Sequence, residues 1–256
     1  MSSPPIRNGV QRRLAAWQDY LLLTAVFVAT RVALYALGLR FKLVLDWMFL
    51  ADLADLRDRL WETIYYFHAF PPGFNLLTGL LLKIAPEHVA GMAHGLFMAC
   101  GLLLVCSLYY LARVVGVPRW GAFALSVAFS LIPPTLFFEN LYLYDYPVPA
   151  LLTFAAALFH RALVVRSFRL WFGMFAVCTL LALLRSALHL VWFAAILFGS
   201  LWLVRNEWRK ILLAAAAPAA VLLLLYTKNW LVFGVFDSQS QSGGNAILIT
   251  TYHMPR

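Results

Sequence analysis

The chain has 256 residues, 63% of them hydrophobic and 12% charged, with a mean hydropathy of +0.81, whereas soluble domains sit near 45 to 50% apolar and about 25% charged. That composition excludes most soluble-enzyme readings. The formal net charge of +9 is not read as a nucleic-acid surface, because basic residues in so apolar a chain report membrane sidedness first.

Residues 1–19 hold Arg7, Arg12 and Arg13 and no small-residue cleavage pattern, which predicts a cytoplasmic tail ahead of an uncleaved span at residues 20–39. Residues 40–88 then form an external loop with two predicted amphipathic interfacial helices. In the first, Leu50, Leu53, Leu56, Leu60 and Trp61 lie opposite Asp55, Asp58, Arg59 and Glu62. The second lies between Pro72 and Pro86, where about 20 Å of helix is too short to span. Its polar stripe of Asn75, Thr78, Gly79 and Lys83 predicts a helix lying flat in the interface. Further spans are expected at residues 89–111, 120–138, 146–165, 170–184, 187–204 and 211–226, and an external tail at 228–256. Cys100, Cys106 and Cys178 fall inside apolar runs and read as small core residues.

Charge counting tests the flat helix. With it flat, the cytoplasmic side receives eleven basic residues: Arg7, Arg12, Arg13, Arg113, Arg119, Arg161, Arg166, Arg169, Arg205, Arg209 and Lys210. The outer side receives eight: Arg40, Lys42, Arg57, Arg59, Lys83, Arg185, Lys228 and Arg256. If the segment crossed, the division would become seven inside and twelve outside, against the positive-inside rule. The same rule needs basic clusters on both flanks of residues 170–204 to be cytoplasmic, so that run must cross twice and break between Arg185 and Ser186. The expected fold is an all-α polytopic membrane protein, a single module over residues 1–256 with about seven transmembrane helices.

Nine of the eleven carboxylates are then external, and two of them stand at membrane depth. Asp46 lies at the mouth of the first span, either as an N-cap of the following helix or as a reactive acid. Asp145 follows Tyr142 and Tyr144 at the start of a span, either solvated among interfacial tyrosines or functional. Within the first span, Arg31 must face the bundle. At an external junction, Arg185 and His189 are expected on one face and can bind a lipid phosphate or simply snorkel.

These pieces together resemble a known family. An acid close behind the first span, the segment His68-Ala69-Phe70-Pro71-Pro72-Gly73-Phe74-Asn75, a later acid preceded by aromatics, and the stretches Arg185-Ser186-Ala187-Leu188-His189 and Lys228-Asn229-Trp230-Leu231-Val232-Phe233-Gly234 are similar to the C-type membrane glycosyltransferases. These include protein O-mannosyltransferases and the aminoarabinose transferase of lipid A. The resemblance covers roughly residues 20–244. It implies a polyprenyl-phosphate-linked sugar as donor, transfer with inversion to a hydroxyl of a glycan, lipid or protein acceptor, and a periplasmic active site in the bacterial inner membrane.

Carried onto this chain, the resemblance makes Asp46 the catalytic base, with Asp52 as a register alternative, and Asp145 a substrate-binding residue. Arg185 becomes the phosphate partner, assisted by Lys83 or His189, and His68 joins the substrate-binding set. A divalent metal ion, if one is used, would fall to Asp46 and Asp145. Two features depart from the family: Asp46 is followed by Trp47 where paired acids are common, and the chain stops where members usually continue with further spans. The rival expectations are a non-catalytic subunit that binds or translocates a lipid carrier, and an incomplete module without independent activity.

Overall fold

The computed structural model describes residues 9–240, and side chains from residue 17 onward. Among the described residues the elements are helices, and the one β-like contact is a parallel bridge between Lys42 and Leu141. The chain runs through α1 (Gly9–Ala36), α2 (Leu53–Asp58), α3 (Leu60–Tyr66), α4 (Gly73–Ile84), α5 (Val89–Val114) and α6 (Arg119–Leu131). It continues through α7 (Pro133–Glu139), α8 (Pro147–Val165), α9 (Phe168–Leu184), α10 (Leu190–Leu203) and α11 (Trp208–Phe233).

Side-chain ties sort the helix termini onto two ends of one bundle. At one end the start of α1 meets the end of α5 and the start of α6, where Asp19 accepts the Tyr109 hydroxyl at 2.6 Å and pairs with Arg119. The end of α8 joins it through the 2.8 Å contact of Tyr110 and His160, and the start of α11 through Lys210 donating to the Arg166 carbonyl at 2.8 Å. At the opposite end the Lys42–Leu141 bridge ties the segment after α1 to the α7–α8 loop, Asp145 pairs with Arg185, and Lys228 donates to the carbonyls of Tyr65 and Phe67. Every basic residue of the expected cytoplasmic set that has a described side chain therefore falls at one end.

By length and composition, four segments can cross a membrane: Trp17–Ala36, Val89–Val114, Pro147–Val165 and Arg205–Phe233. This is the build of a polytopic membrane protein. A fifth crossing is available if α6 and α7, bent by 61°, count as one span. The bend has a local cause: Pro133 pushes Ile132 to extended φ/ψ of −64° and 144°, and the Pro133-Pro134 pair contributes no N–H to the helix. The expected break after α9 is present, with Arg185 extended, a single 3₁₀ turn at Ser186–Leu188, and His189 restarting the chain as α10. At 17 and 14 residues, α9 and α10 are shorter apolar helices of about 26 and 21 Å, so length and composition by themselves account for four crossings, or five with the bent pair.

Two details of the segment between α1 and α5 differ from expectation. The helix expected around residues 50–61 is interrupted at Arg59 (φ −127°, ψ 40°), leaving α2 and α3 as separate short turns. More consequentially, α4 buries most of its polar stripe together with Phe74 and Leu81 of its apolar one, while Lys83 stays exposed. Asn75, Thr78 and Gly79 are buried, and Leu80 and Ile84 are exposed. Buried polar side chains need partners, and both have them. Asn75 accepts from the Ala51 N–H at 2.7 Å and donates to the Phe49 carbonyl at 2.9 Å, while the Thr78 hydroxyl meets the Phe74 carbonyl and the Tyr142 hydroxyl. A Cβ on Gly79 would stand 2.3 Å from Leu60 Cδ1, so glycine is what lets α3 lie on α4.

Three apolar clusters fill the interior: α8 to α11 around Trp171, Phe175 and Leu181; α4, α5 and the 41–50 segment around Phe74, Phe97 and Tyr142; and α1, α5 and α6 around Leu23 and Val105. The second cluster anchors the loop end of the bundle, where the expected site residues lie.

Candidate functional site

The 41–50 segment and the α7–α8 loop leave the Lys42–Leu141 bridge side by side. Lys42 donates to the Asn140 carbonyl at 2.7 Å and Tyr142 donates to the Lys42 carbonyl at 3.0 Å. Parallel pairing carries Asp46 and Asp145 toward the same end of the bundle. Beyond the bridge, the Trp47 indole donates to the Tyr142 carbonyl at 3.3 Å, and Phe49 packs edge-on to Tyr144 with centroids 4.9 Å apart. An aromatic floor of Phe49, Phe74, Tyr142 and Tyr144 results.

Above this floor is a cavity of about 220 Å³ whose walls include Phe70, Pro71, Asn75, Arg185, Ser186 and Gln239. Pro71 and Pro72 precede α4, and a Cβ on Gly73 would stand 2.6 Å from the Leu183 carbonyl, so Gly73 allows the first turn of α4 to press on the last turn of α9. That contact brings the α4 N-terminus, whose first N–H groups have no intrahelical acceptors, to the same cavity as Arg185. Arg185 is half-buried, pairs through Nη1 with Asp145 Oδ1, and lies over the Tyr144 ring with its Cζ 5.5 Å from the centroid. Burial first, then the neighbouring Asp145 carboxylate, pushes the Tyr144 phenol above its ordinary pKa, and burial pushes Tyr142 up to about 12. Both are neutral hydroxyls at physiological pH.

The remaining expected residues are distributed around this centre. Asp46 is exposed, has no side-chain partner among the described residues, and is absent from the cavity lining, as is Asp145. Asp52 is the N-cap of α2, accepting from Ala54 and Asp55 N–H groups, one of the two roles open to Asp46 in the sequence. Because the chain is not α-helical between them, His189 does not share a helix face with Arg185. Its Nδ1 instead accepts from Val191 N–H at the start of α10. Lys83 is exposed near the far end of α4, where it contributes to holding the Asp58 carboxyl below its usual range; the largest cause of that shift is the Arg57 hydrogen bond. His68 stacks on Phe233 at 3.9 Å and its carbonyl accepts from Ser240 N–H at 2.8 Å, bracing the loop against the end of α11.

For a divalent ion the donors do not gather. Among the described residues no three His, Cys, Asp or Glu side chains converge, and an oxygen of Asp145 is already held by a guanidinium.

A second charged centre pairs two residues 108 positions apart in the chain. Arg31 on α1 forms a bidentate bond to Glu139 at the end of α7, 2.8 Å from Nε to Oε1 and 2.8 Å from Nη2 to Oε2. Glu139 is fully buried; it also accepts from the Tyr146 hydroxyl at 2.5 Å, and Arg31 further donates to the Ser130 carbonyl and hydroxyl. The signal in the sequence was Arg31 itself, since an arginine inside an apolar span requires a partner. Glu139 was hidden because the bend at Pro133 that swings it inward is not legible as a direction.

Comparison of the chain with protein-family models, with curated proteins and with solved structures gives no match.

Proposed function

We propose that this chain is a membrane glycosyltransferase module that transfers a sugar from a polyprenyl-phosphate carrier to an acceptor hydroxyl, with inversion, at the end of the bundle where Asp145 and Arg185 meet. The observation that carries this reading is convergence. One cavity draws its walls from Phe70 and Pro71 of the His-x-x-Pro-Pro segment, from Tyr144 beside Asp145, and from Arg185-Ser186-Ala187, segments far apart in the chain that carry the family resemblance separately. In this reading α9 and α10 also cross, making seven spans, and the cavity end faces the periplasm of a bacterial inner membrane.

The chemistry assigned to the residues follows from charge. As the bond from the anomeric carbon to the phosphate oxygen breaks, negative charge gathers on the departing lipid phosphate. Arg185 has five N–H donors, one of them on Asp145, and the rest suit phosphate oxygens. The start of α4 adds a favourable dipole. Asp145 orients Arg185 and offers its other oxygen to a sugar hydroxyl. Asp46 takes the proton of the acceptor hydroxyl as its oxygen bonds to the anomeric carbon.

The exposure of Asp46 outside the cavity lining favours one rival, a subunit that binds the lipid carrier without reacting it. The two separate in one experiment, release of sugar from a radiolabelled polyprenyl-phosphate donor alongside donor binding. The transferase reading expects wild-type turnover, and Asp46→Asn slower by about 10²- to 10⁴-fold at nearly unchanged binding. Tight carrier binding with no wild-type turnover on any acceptor class overturns it in favour of the rival.

A further inference from the structure

At the end of the bundle remote from Arg185, a hollow of about 170 Å³ opens between α1, α5 and α8. Its interior is Leu103, Cys106, Phe154 and Leu158, and its mouth carries Tyr20, Tyr110 and Arg161. Arg161 lies about one turn before the end of α8, inside the apolar segment rather than beyond it. Three other arginines of this bundle are each held by a partner, Arg31 by Glu139, Arg119 by Asp19, and Arg113 by the Val117 carbonyl. Arg161 has no hydrogen bond or ion pair among the described residues, and the groups that face it are the Tyr20 and Tyr110 phenols. Tyr110 is itself fixed by His160 at 2.8 Å. Nearby, the only described carboxylate at the α1 start, Asp19, is taken by Tyr109 and Arg119.

An unpaired guanidinium and two phenols above an apolar slot match the two halves of a lipid, a phosphate and a hydrocarbon chain. We propose that this hollow is a binding site for an anionic phospholipid of the leaflet at the basic end of the bundle, with the headgroup phosphate on Arg161 and the tyrosine hydroxyls and an acyl chain between α1, α5 and α8. The proposal is independent of the transferase reading, since it uses the opposite end of the molecule. A merely snorkelling arginine needs charge in the headgroup zone but no hollow, and this difference makes the site testable.

The full chain, purified in detergent, is incubated with phosphatidylglycerol or phosphatidylethanolamine, and retained lipid is counted by native mass spectrometry. The wild type should prefer phosphatidylglycerol by about fivefold or more, the scale of one basic residue near an anionic headgroup. Arg161→Ala should lose that preference, and Arg161→Lys should keep part of it. Leu158→Trp, which fills the slot and keeps the charge, should lower retention of phosphatidylglycerol severalfold. Arg209→Ala, an exposed basic residue of the same end, should change nothing. Undiminished preference in folded Arg161→Ala overturns the proposal, as does equal loss in Arg209→Ala. If Arg161→Ala does not fold, undiminished retention in Leu158→Trp overturns it alone.

Discussion

Glu139 is the residue whose environment is least forgiving. Removing one member of a buried ion pair leaves the other charged, desolvated and unpartnered, which costs about 3 to 5 kcal/mol. Glu139→Gln should therefore lower the thermal midpoint in detergent far more than the double variant Arg31→Met with Glu139→Met, which removes both charges. Equal destabilisation of the two would mean that shape, and not charge, holds α1 to α7. Gly101 belongs to the same centre, because a Cβ there would lie 2.7 Å from the Tyr146 hydroxyl and 2.8 Å from Glu139 Oε2; overpacking of this kind costs about 1 to 3 kcal/mol. At the other charged centre, Arg185 and Asp145 are both partly exposed, so their pairing adds little to stability and function should respond instead. Arg185→Ala should raise the dissociation constant for a polyprenyl phosphate by about ten- to a hundredfold, the range of a lost charge-assisted hydrogen bond. Arg185→Lys should recover part of that, since a point charge replaces a planar fork. Unchanged affinity in folded Arg185→Ala would return Arg185 to a structural partner of Asp145.

Among the elements, α4 shows how a correctly placed helix can bury polar residues that the pattern puts on its outer face. Its length and bounding prolines predict a helix too short to span, and Gly73–Ile84 is 12 residues. Polarity normally marks the exposed face, and that rule puts the stripe of Asn75 and Thr78 on the outer side of a helix lying in the interface. Here the inner face meets the irregular 41–52 segment, whose backbone has no helix to satisfy its N–H and C=O groups, and Asn75 supplies both bonds. Long-range pairing of that kind leaves no periodic trace in a single sequence. The break at Arg185 was legible, by contrast, because charge on both flanks of an apolar run constrains the number of crossings, whereas the bend at Pro133-Pro134 was hidden inside what read as one uniform span. Asn75→Ala should expose the cost of the clamp. Amide exchange at Leu50 and Ala51 should quicken and stability fall by about 1 to 3 kcal/mol, the penalty for unpaired buried backbone groups. Exchange at wild-type rates would show that the segment is held by its aromatic contacts alone.

Taken as a whole molecule, the bundle has chemically different ends, and its topology rests on that difference. One end gathers Arg113, Arg119, Arg161, Arg166, Arg169, Arg205, Arg209 and Lys210 against Asp19 and Glu207; the other holds the remaining carboxylates, the cavity and the short helices α2 to α4. The contacts that join Tyr110 to His160 and Lys210 to Arg166 place the ends of α5 and α8 and the start of α11 together without any appeal to charge. Geometry and the positive-inside rule thus group the same residues by independent routes. The short helix α10 decides whether the grouping holds in a bilayer, because at about 21 Å it needs local thinning or flanking side chains to cross. Single cysteines placed at Arg119, Ser167, Glu207, Asp58 and Ser240 in a background lacking Cys100, Cys106 and Cys178 test it directly. With intact cells and an impermeant maleimide, positions 58 and 240 should be labelled, and positions 119, 167 and 207 should react only after the membrane is opened. Labelling of 207 from outside with 167 protected would mean that α9 and α10 do not cross as a pair, leaving α11 to enter from the other side. Labelling of 119 from outside would invert every helix after α4 and place the Asp145–Arg185 cavity in the cytoplasm, where a periplasmic transferase could not use it.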